Sequence, residues 1–186
     1  MESTLAGPSG VRLAATGNQR AVANDPDFLQ SGDSAFCALT DFRREDPITV
    51  EADSPIEDAL GDMNHLGIHA LLVTRQEPEG IEQQVVGLIT YYDAARERPP
   101  TGASVSRERP KALVGDVMTP CSELPLVKYD SLQSLTAHDL YELFQGTGLT
   151  HLLVVETQPD GAAVARGLIS RATLARRLRR LHTAVV

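Results

Sequence analysis

The sequence predicts an α/β (α+β) fold of two β-α-β-β-α repeats related by a pseudo-two-fold axis, on three observations. Residues 67–96 and 148–176 carry nearly the same text about eighty residues apart: G-I-H-A-L-L-V-T … V-V-G-L-I-T-Y-Y-D-A-A-R, then G-L-T-H-L-L-V-V … A-R-G-L-I-S-R-A-T-L-A-R. Gly67 thus matches Gly148, Gly87 matches Gly167, Thr90 matches Ser170 and Ala95 matches Ala175. Second, apolar runs of strand length are separated by segments whose apolar residues recur at helical spacing. Third, those runs do not alternate with polar residues, which places their strands in buried positions. A unit that buries its apolar face poorly alone can bury it against its copy, and a cleft between copies suits a small ligand.

The elements follow in order. Residues 1–33 are rich in Gly, Ser, Ala, Asn and Pro without a sustained period, and read as a mobile arm. Ile48-Thr49-Val50 is a short β-prone run. Ser54-Pro55-Ile56-Glu57 is a helix start, with Ser as N-cap, Pro at the first helical position and Glu three after Ser. Ile56, Ala59, Leu60, Met63 and Leu66 form one apolar stripe, and Gly67 stands where a helix end favours positive φ. Leu71–Val73 and Val85–Ile89 read as strands joined by the polar connection R-Q-E-P-E-G-I-E-Q-Q, and Tyr91–Glu97 opens a second helix. The segment 97–111, with three prolines, reads as a linker.

The second repeat runs likewise. Pro125-Leu126-Val127 is followed by a helix after Asp130-Ser131, a strand at His151–Val155, a turn at Gln158–Gly161 and a strand at Val164–Ile169. A closing helix carries Leu174, Leu178 and Leu181 on one face. From Ser to Gly the first helical segment is four residues longer than in the first repeat, about one turn, which keeps the apolar face in phase. Thr40 and Thr119 lead in from A-L-T-D and V-M-T-P. The organisation is therefore an arm over 1–35, a repeat over 36–98, a linker over 99–112 and a repeat over 113–182.

Composition narrows the function classes. In 186 residues 42% are hydrophobic but only 4% aromatic, so the core is aliphatic. No apolar run approaches the ~20 residues of a membrane helix. The N-terminus lacks the basic and apolar stretches of a signal peptide, and the expected address is the cytoplasm. Cys37 and Cys121 lack metal-ligand spacing and read as buried or indifferent thiols. The net charge of −8 divides into −14 over the first 160 residues and +6 beyond, where six arginines stand without an acid. The total disfavours nucleic-acid binding, and the arginine-rich last helix reads as a solvated or salt-bridged face. No nucleophile elbow, P-loop or H-E-x-x-H occurs, so no catalytic role is expected.

V-M-T-P at 117–120, the helix-then-Gly step, H-L-L-V-V at 151–155 and the signature Gly, two apolar residues, Ser/Thr, two of any kind, Asp together resemble the cystathionine-β-synthase (CBS) domain, usually met as a tandem pair called a Bateman module. The signature is complete in G-L-I-T-Y-Y-D at 87–93; in G-L-I-S-R-A-T at 167–173, Thr173 replaces the acid. The resemblance covers roughly residues 36–182. It implies a sensor that binds an adenine nucleotide (AMP, ADP or ATP), or sometimes another adenosyl ligand, in clefts between the repeats, dimerises, and is read by an unidentified effector protein. The alternative is a ligand-free module kept for dimerisation or partner binding.

Under this resemblance Asp93 accepts from both ribose hydroxyls, while the Thr90 hydroxyl and the adjoining helix N-terminus serve sugar or phosphate. The plainer reading is that Asp93 sits where a first helical turn favours negative charge. Ser170 with Thr173 makes a weaker counterpart, because Thr cannot grip two hydroxyls; Arg171 between them either engages phosphate or stays solvated. Thr49 and Val50, and Leu126 and Val127, line the adenine slots while serving as core in any reading. His69, with Ala70, and His151 lie at strand starts, where histidine is more often packed than liganding. Tyr91 and Tyr92 stack on a base or pack between subunits.

Overall fold

The computed structural model describes residues 11–13, 28–76, 83–97 and 112–179. Most of the arm, nearly all of the linker, the tip of the first hairpin and Leu181 lie outside these residues. The strands are β1 (Val11–Leu13), β2 (Thr40–Asp41), β3 (Thr49–Glu51), β4 (Ala70–Gln76), β5 (Gln83–Thr90), β6 (Thr119–Pro120), β7 (Leu126–Lys128), β8 (His151–Thr157) and β9 (Ala163–Ser170). The helices are α1 (Ile56–Leu66), α2 (Tyr91–Arg96), α3 (Val114–Val117), α4 (Ala137–Thr147) and α5 (Arg171–Arg179), with 3₁₀ turns at Ala35–Ala38 and Tyr129–Ser134. No helix among the described residues is long and apolar enough to cross a membrane.

These elements form two compact units, each holding the expected β-α-β-β-α order. In the first-repeat unit, residues 47–97 with 112–124, β3 runs parallel to β4 (Thr49↔Leu72, Val50↔Val73). There β4 is antiparallel to β5 (Ala70↔Thr90), and β5 is antiparallel to β6 (Gly87↔Pro120). In the second-repeat unit, residues 28–46 with 125–179, the same order is β7, β8, β9 and then β2, with His151↔Ser170 and Asp41↔Gly167. Each lead-in therefore folds with the other repeat's core. The unit boundaries fall at 46/47 and 124/125. Both units carry a register shift at the matching place, Val73/Thr74 and Val154/Val155.

The lead-ins explain why two glycines recur at one position. A Cβ on Gly87 would lie 2.6 Å from the Thr119 carbonyl oxygen and 2.7 Å from Met118 Sδ. A Cβ on Gly167 would collide with Leu39 Cδ1 and the Thr40 carbonyl oxygen. Only a residue without a side chain lets β6 and β2 approach their neighbouring strands. Gly67 (φ 66°) and Gly148 (φ 70°) serve differently, ending α1 and α4 in the left-handed region as the sequence suggests.

Three helix expectations are corrected. Ser54 does not cap α1: Pro55 takes that place with no side-chain cap bond, because the lead-in backbone supplies the partners, Ile56 N–H donating to Ala112 O. The four extra residues of the second repeat do not lengthen its helix. Both α1 and α4 have 11 residues, and the surplus forms the 3₁₀ turn before Thr136. The α1 stripe stops at Met63, since Leu66 in the last turn is 48% exposed. Behind α1, a core of Val50, Ile56, Leu60, Met63, Leu71 and Ile89 closes the helix side of the sheet. Leu132, Leu140, Phe144, Leu152, Val154 and Ile169 do the same behind α4.

Helix α4 starts on a capping box that periodicity alone did not reveal. Thr136 N–H and its hydroxyl both donate to Asp139 Oδ2 (2.8 and 2.7 Å), and Asp139 N–H donates to Thr136 Oγ1 (3.2 Å). These bonds, the side-chain one first, hold the Asp139 carboxyl below its usual value. A depressed carboxylate stabilises the fold above its unfolded pKa, near 4, and that contribution fades as pH falls through the folded value. Thr136→Ala is expected to cost about 1 kcal/mol at neutral pH and less near pH 2, read by urea denaturation at both. An equal loss at both pH values would refute the box's role.

Candidate functional site

The sequence-predicted residues of the first repeat gather where β5 ends and α2 begins. Thr90 pairs across the ladder with Ala70, and Tyr91 N–H donates to His69 O (2.9 Å), tying the start of β4 to the head of α2. Alternation along the strands sets Thr49, Ala70, Leu72 and Thr90 on the sheet face away from α1. Val50 points the other way, into the core with Leu71 and Ile89, so a ligand on the opposite face meets at most its backbone. Thr49 stands opposite Leu72, two residues along β4 from Ala70. His69 is exposed, with its ring edge-on to Tyr91 at 6.3 Å between centroids.

Thr90 and Asp93, both half-buried, satisfy each other. The Thr90 hydroxyl donates to Asp93 Oδ2 at 2.6 Å, Thr90 N–H donates to the same oxygen at 3.2 Å, and Asp93 N–H donates to Thr90 Oγ1 at 3.3 Å. Two consequences follow. The hydroxyl has spent its only proton and keeps one lone pair. Of the first-turn amides, those of Tyr91 and Asp93 are already bonded. The strand end therefore offers acceptors, Asp93 Oδ1 foremost, where the sequence suggested a donor for phosphate.

At the second repeat, His151 pairs with Ser170, and Arg171 N–H donates to Thr150 O (2.9 Å). Thr173 N–H reaches Ser170 Oγ at 3.5 Å, and with Thr173 in place of an acid no reciprocal bond closes the box. His151 Nδ1 lies 3.1 Å from Thr150 Oγ1. Leu126 is buried opposite Leu153, and Arg171 is half-buried at the first position of α5.

Two features were not foreseen. A cleft of about 510 Å³ in the first-repeat unit is lined by Glu51, Asp53, Thr74, Arg75, Gln76 and Asp116, among others. It sits at the far end of β4 from Ala70 and holds none of the predicted residues. In the second-repeat unit, Arg166 has only 3% of its side chain exposed, bonded to Asp41 (3.0 Å) with Nε 3.4 Å from Glu156 Oε2. That Nε lacks an aligned hydrogen bond, and the guanidinium lies over the Tyr129 ring, 4.8 Å from its centroid. The available signal was an arginine inside the strand V-A-R-G-L-I where the first repeat has Val86.

Cys121 is buried and donates to Val85 O (3.3 Å), and burial pushes its thiol up to about 11, which keeps it unreactive at neutral pH. Among the described residues no three His, Cys, Asp or Glu are grouped to hold a metal ion.

Residues 39–99 match the family model of the CBS domain. No curated protein matches the chain in sequence. Among solved structures, the CBS-pair protein CBSX2 from Arabidopsis thaliana is 22% identical, with a TM-score of 0.51 over 83% of this chain and 99% of that one. CBSX2 in complex with AMP is 24% identical, with a TM-score of 0.50 over 82% and 98%. A hemolysin-like protein containing a CBS domain, from Oenococcus oeni PSU, is 17% identical, with a TM-score of 0.51 over 80% and 91%. Residues 39–99 thus match the CBS domain as a sequence, and over about four fifths of its length the chain shares the fold of a CBS-pair structure.

Proposed function

We propose that this chain is a regulatory module that binds an adenine nucleotide, AMP, ADP or ATP, at the strand end of the first repeat. Binding favours one arrangement of the module, as a homodimer, which an effector protein reads. The observation that carries the reading is Asp93: its Oδ2 is committed to Thr90, while Oδ1 bonds nothing among the described residues. A half-buried carboxylate oxygen held rigidly beside a strand end is placed to accept from ribose hydroxyls. The solved complex of CBSX2 with AMP supports the choice of ligand class. Tyr92, 76% exposed beside this acid, is available to a base or to a second copy.

Calorimetric titration with the three nucleotides tests the reading. Asp93→Ala is expected to weaken each by about tenfold or more, the worth of a charge-assisted hydrogen bond. Affinity unchanged in that variant would remove Asp93 from the site.

A second reading, a ligand-free structural module, draws on a specific observation. The Thr90–Asp93 geometry recurs at Thr136–Asp139, where it starts a helix. Absence of all nucleotide binding, with a dimer intact by light scattering, would favour that reading.

A further inference from the structure

We infer that the first-repeat site selects against phosphate charge: adenosine binds it about as well as AMP, and affinity falls from AMP to ADP to ATP. The inference rests on the reading of Asp93 as the ribose acceptor and adds which member of the ligand class the site prefers.

Hydrogen-bond polarity is the first ground. Thr90 has given its proton to Asp93 Oδ2 and can only accept. Asp93 Oδ1 can only accept. Of the first-turn amides that would otherwise meet a phosphate, those of Tyr91 and Asp93 are bonded to His69 O and Thr90 Oγ1, which leaves that of Tyr92. A ribose brings donors to these acceptors. A phosphate brings more acceptors, and each oxygen facing them is repelled.

Charge is the second ground. The described residues of the first-repeat unit hold nine Asp and Glu against two arginines, Arg75 and Arg96. None of the nine is in an ion pair among the described residues; the described salt bridges join Arg12, Asp41, Arg43, Glu156, Asp160 and Arg166. A surplus of one sign among the described residues sets up a field that disfavours an added negative group, screened over about 8 Å at physiological salt. The second-repeat end has the opposite character. Arg171 stands at the position of Tyr91, Thr173 replaces the acid, and Ser170 accepts from Thr173 N–H without giving its proton to a carboxylate. An anion is better served there.

The test is metal-free calorimetry of the full chain and its Arg171→Ala variant, in which the second-repeat end loses its cation, with adenosine, AMP, ADP and ATP. In the variant, adenosine is expected within about threefold of AMP, and ATP at least tenfold weaker than AMP, the gap shrinking at about 0.5 M salt. Asp93→Asn, which keeps the shape and removes the charge, is expected to narrow the AMP-to-ATP gap. ATP binding Arg171→Ala as tightly as AMP would overturn the inference while leaving the ribose reading standing. Failure of all four ligands in a chain with a normal thermal transition would overturn both.

Discussion

Gly167→Ala is expected to destabilise the second-repeat unit by about 2–3 kcal/mol, near the upper end of overpacking costs. The new methyl would meet the Thr40 carbonyl oxygen and Leu39 Cδ1. The carbonyl belongs to β2, whose register with β9 (Thr40↔Leu168, Asp41↔Gly167) leaves it no room to withdraw without breaking the ladder. Leu39 is buried and cannot swing into solvent. Gly87→Ala should cost less, about 1–2 kcal/mol, because one of its two close neighbours is the flexible Met118 side chain. Gly61→Ala in α1 and Gly146→Ala in α4 are the controls. Both positions are exposed and meet nothing within 4 Å, so replacing glycine inside a helix should stabilise by up to about 1 kcal/mol. Urea midpoints for the four variants decide the matter. A Gly167→Ala chain as stable as the parent would mean that β2 does not rely on close approach.

Much of this architecture was legible because its causes are local. Gly67 and Gly148 end helices through their own φ, and the strand runs at 71–73 and 152–155 announce burial through their own side chains. What stayed hidden depends on partners remote in the chain. Ser54 has every local mark of an N-cap, yet the lead-in backbone at Ala112 does that work. Gly87 and Gly167 stood out as landmarks of the duplication, but their reason lies in Met118–Thr119 and Leu39–Thr40, segments that the sequence assigns to the opposite repeats. Thr90 and Asp93 were read as a ligand grip on spacing that equally defines a capping box, and the structure shows the box formed. One spacing supports both, since a box spends one carboxylate oxygen and leaves the other. Val50 was core in any reading, and only its orientation needed the structure, because three residues of β-prone sequence carry no marker of which face meets the helix.

Removing the charge at Arg166 should have the largest effect of any single substitution. Arg166→Val, the residue its counterpart Val86 already uses, is expected to lose about 3–4 kcal/mol, because truncating one partner leaves Asp41 with an uncompensated, mostly buried carboxylate. The exposed outer pair Arg43–Glu156 (2.7 Å) should contribute little by itself, so Arg43→Ala is expected to change stability by less than about 1 kcal/mol. The Tyr129 ring under the guanidinium adds a contact that lysine reproduces poorly, so Arg166→Lys should recover only part of the loss. The decisive variant is double. Replacing both Arg166 by Val and Asp41 by Ala removes the charge together with its partner. It should therefore be more stable than Arg166→Val alone, with a coupling of about 1–3 kcal/mol. An Arg166→Val chain within about 1 kcal/mol of the parent would show that the buried network is energetically idle. The expected outcome would instead mean that the two repeats hold their lead-ins by different means. The first relies on apolar packing at Val86 and the second on an ion pair that ties β2 to β9, which makes Asp41 and Arg166 the points where the repeats ceased to be interchangeable.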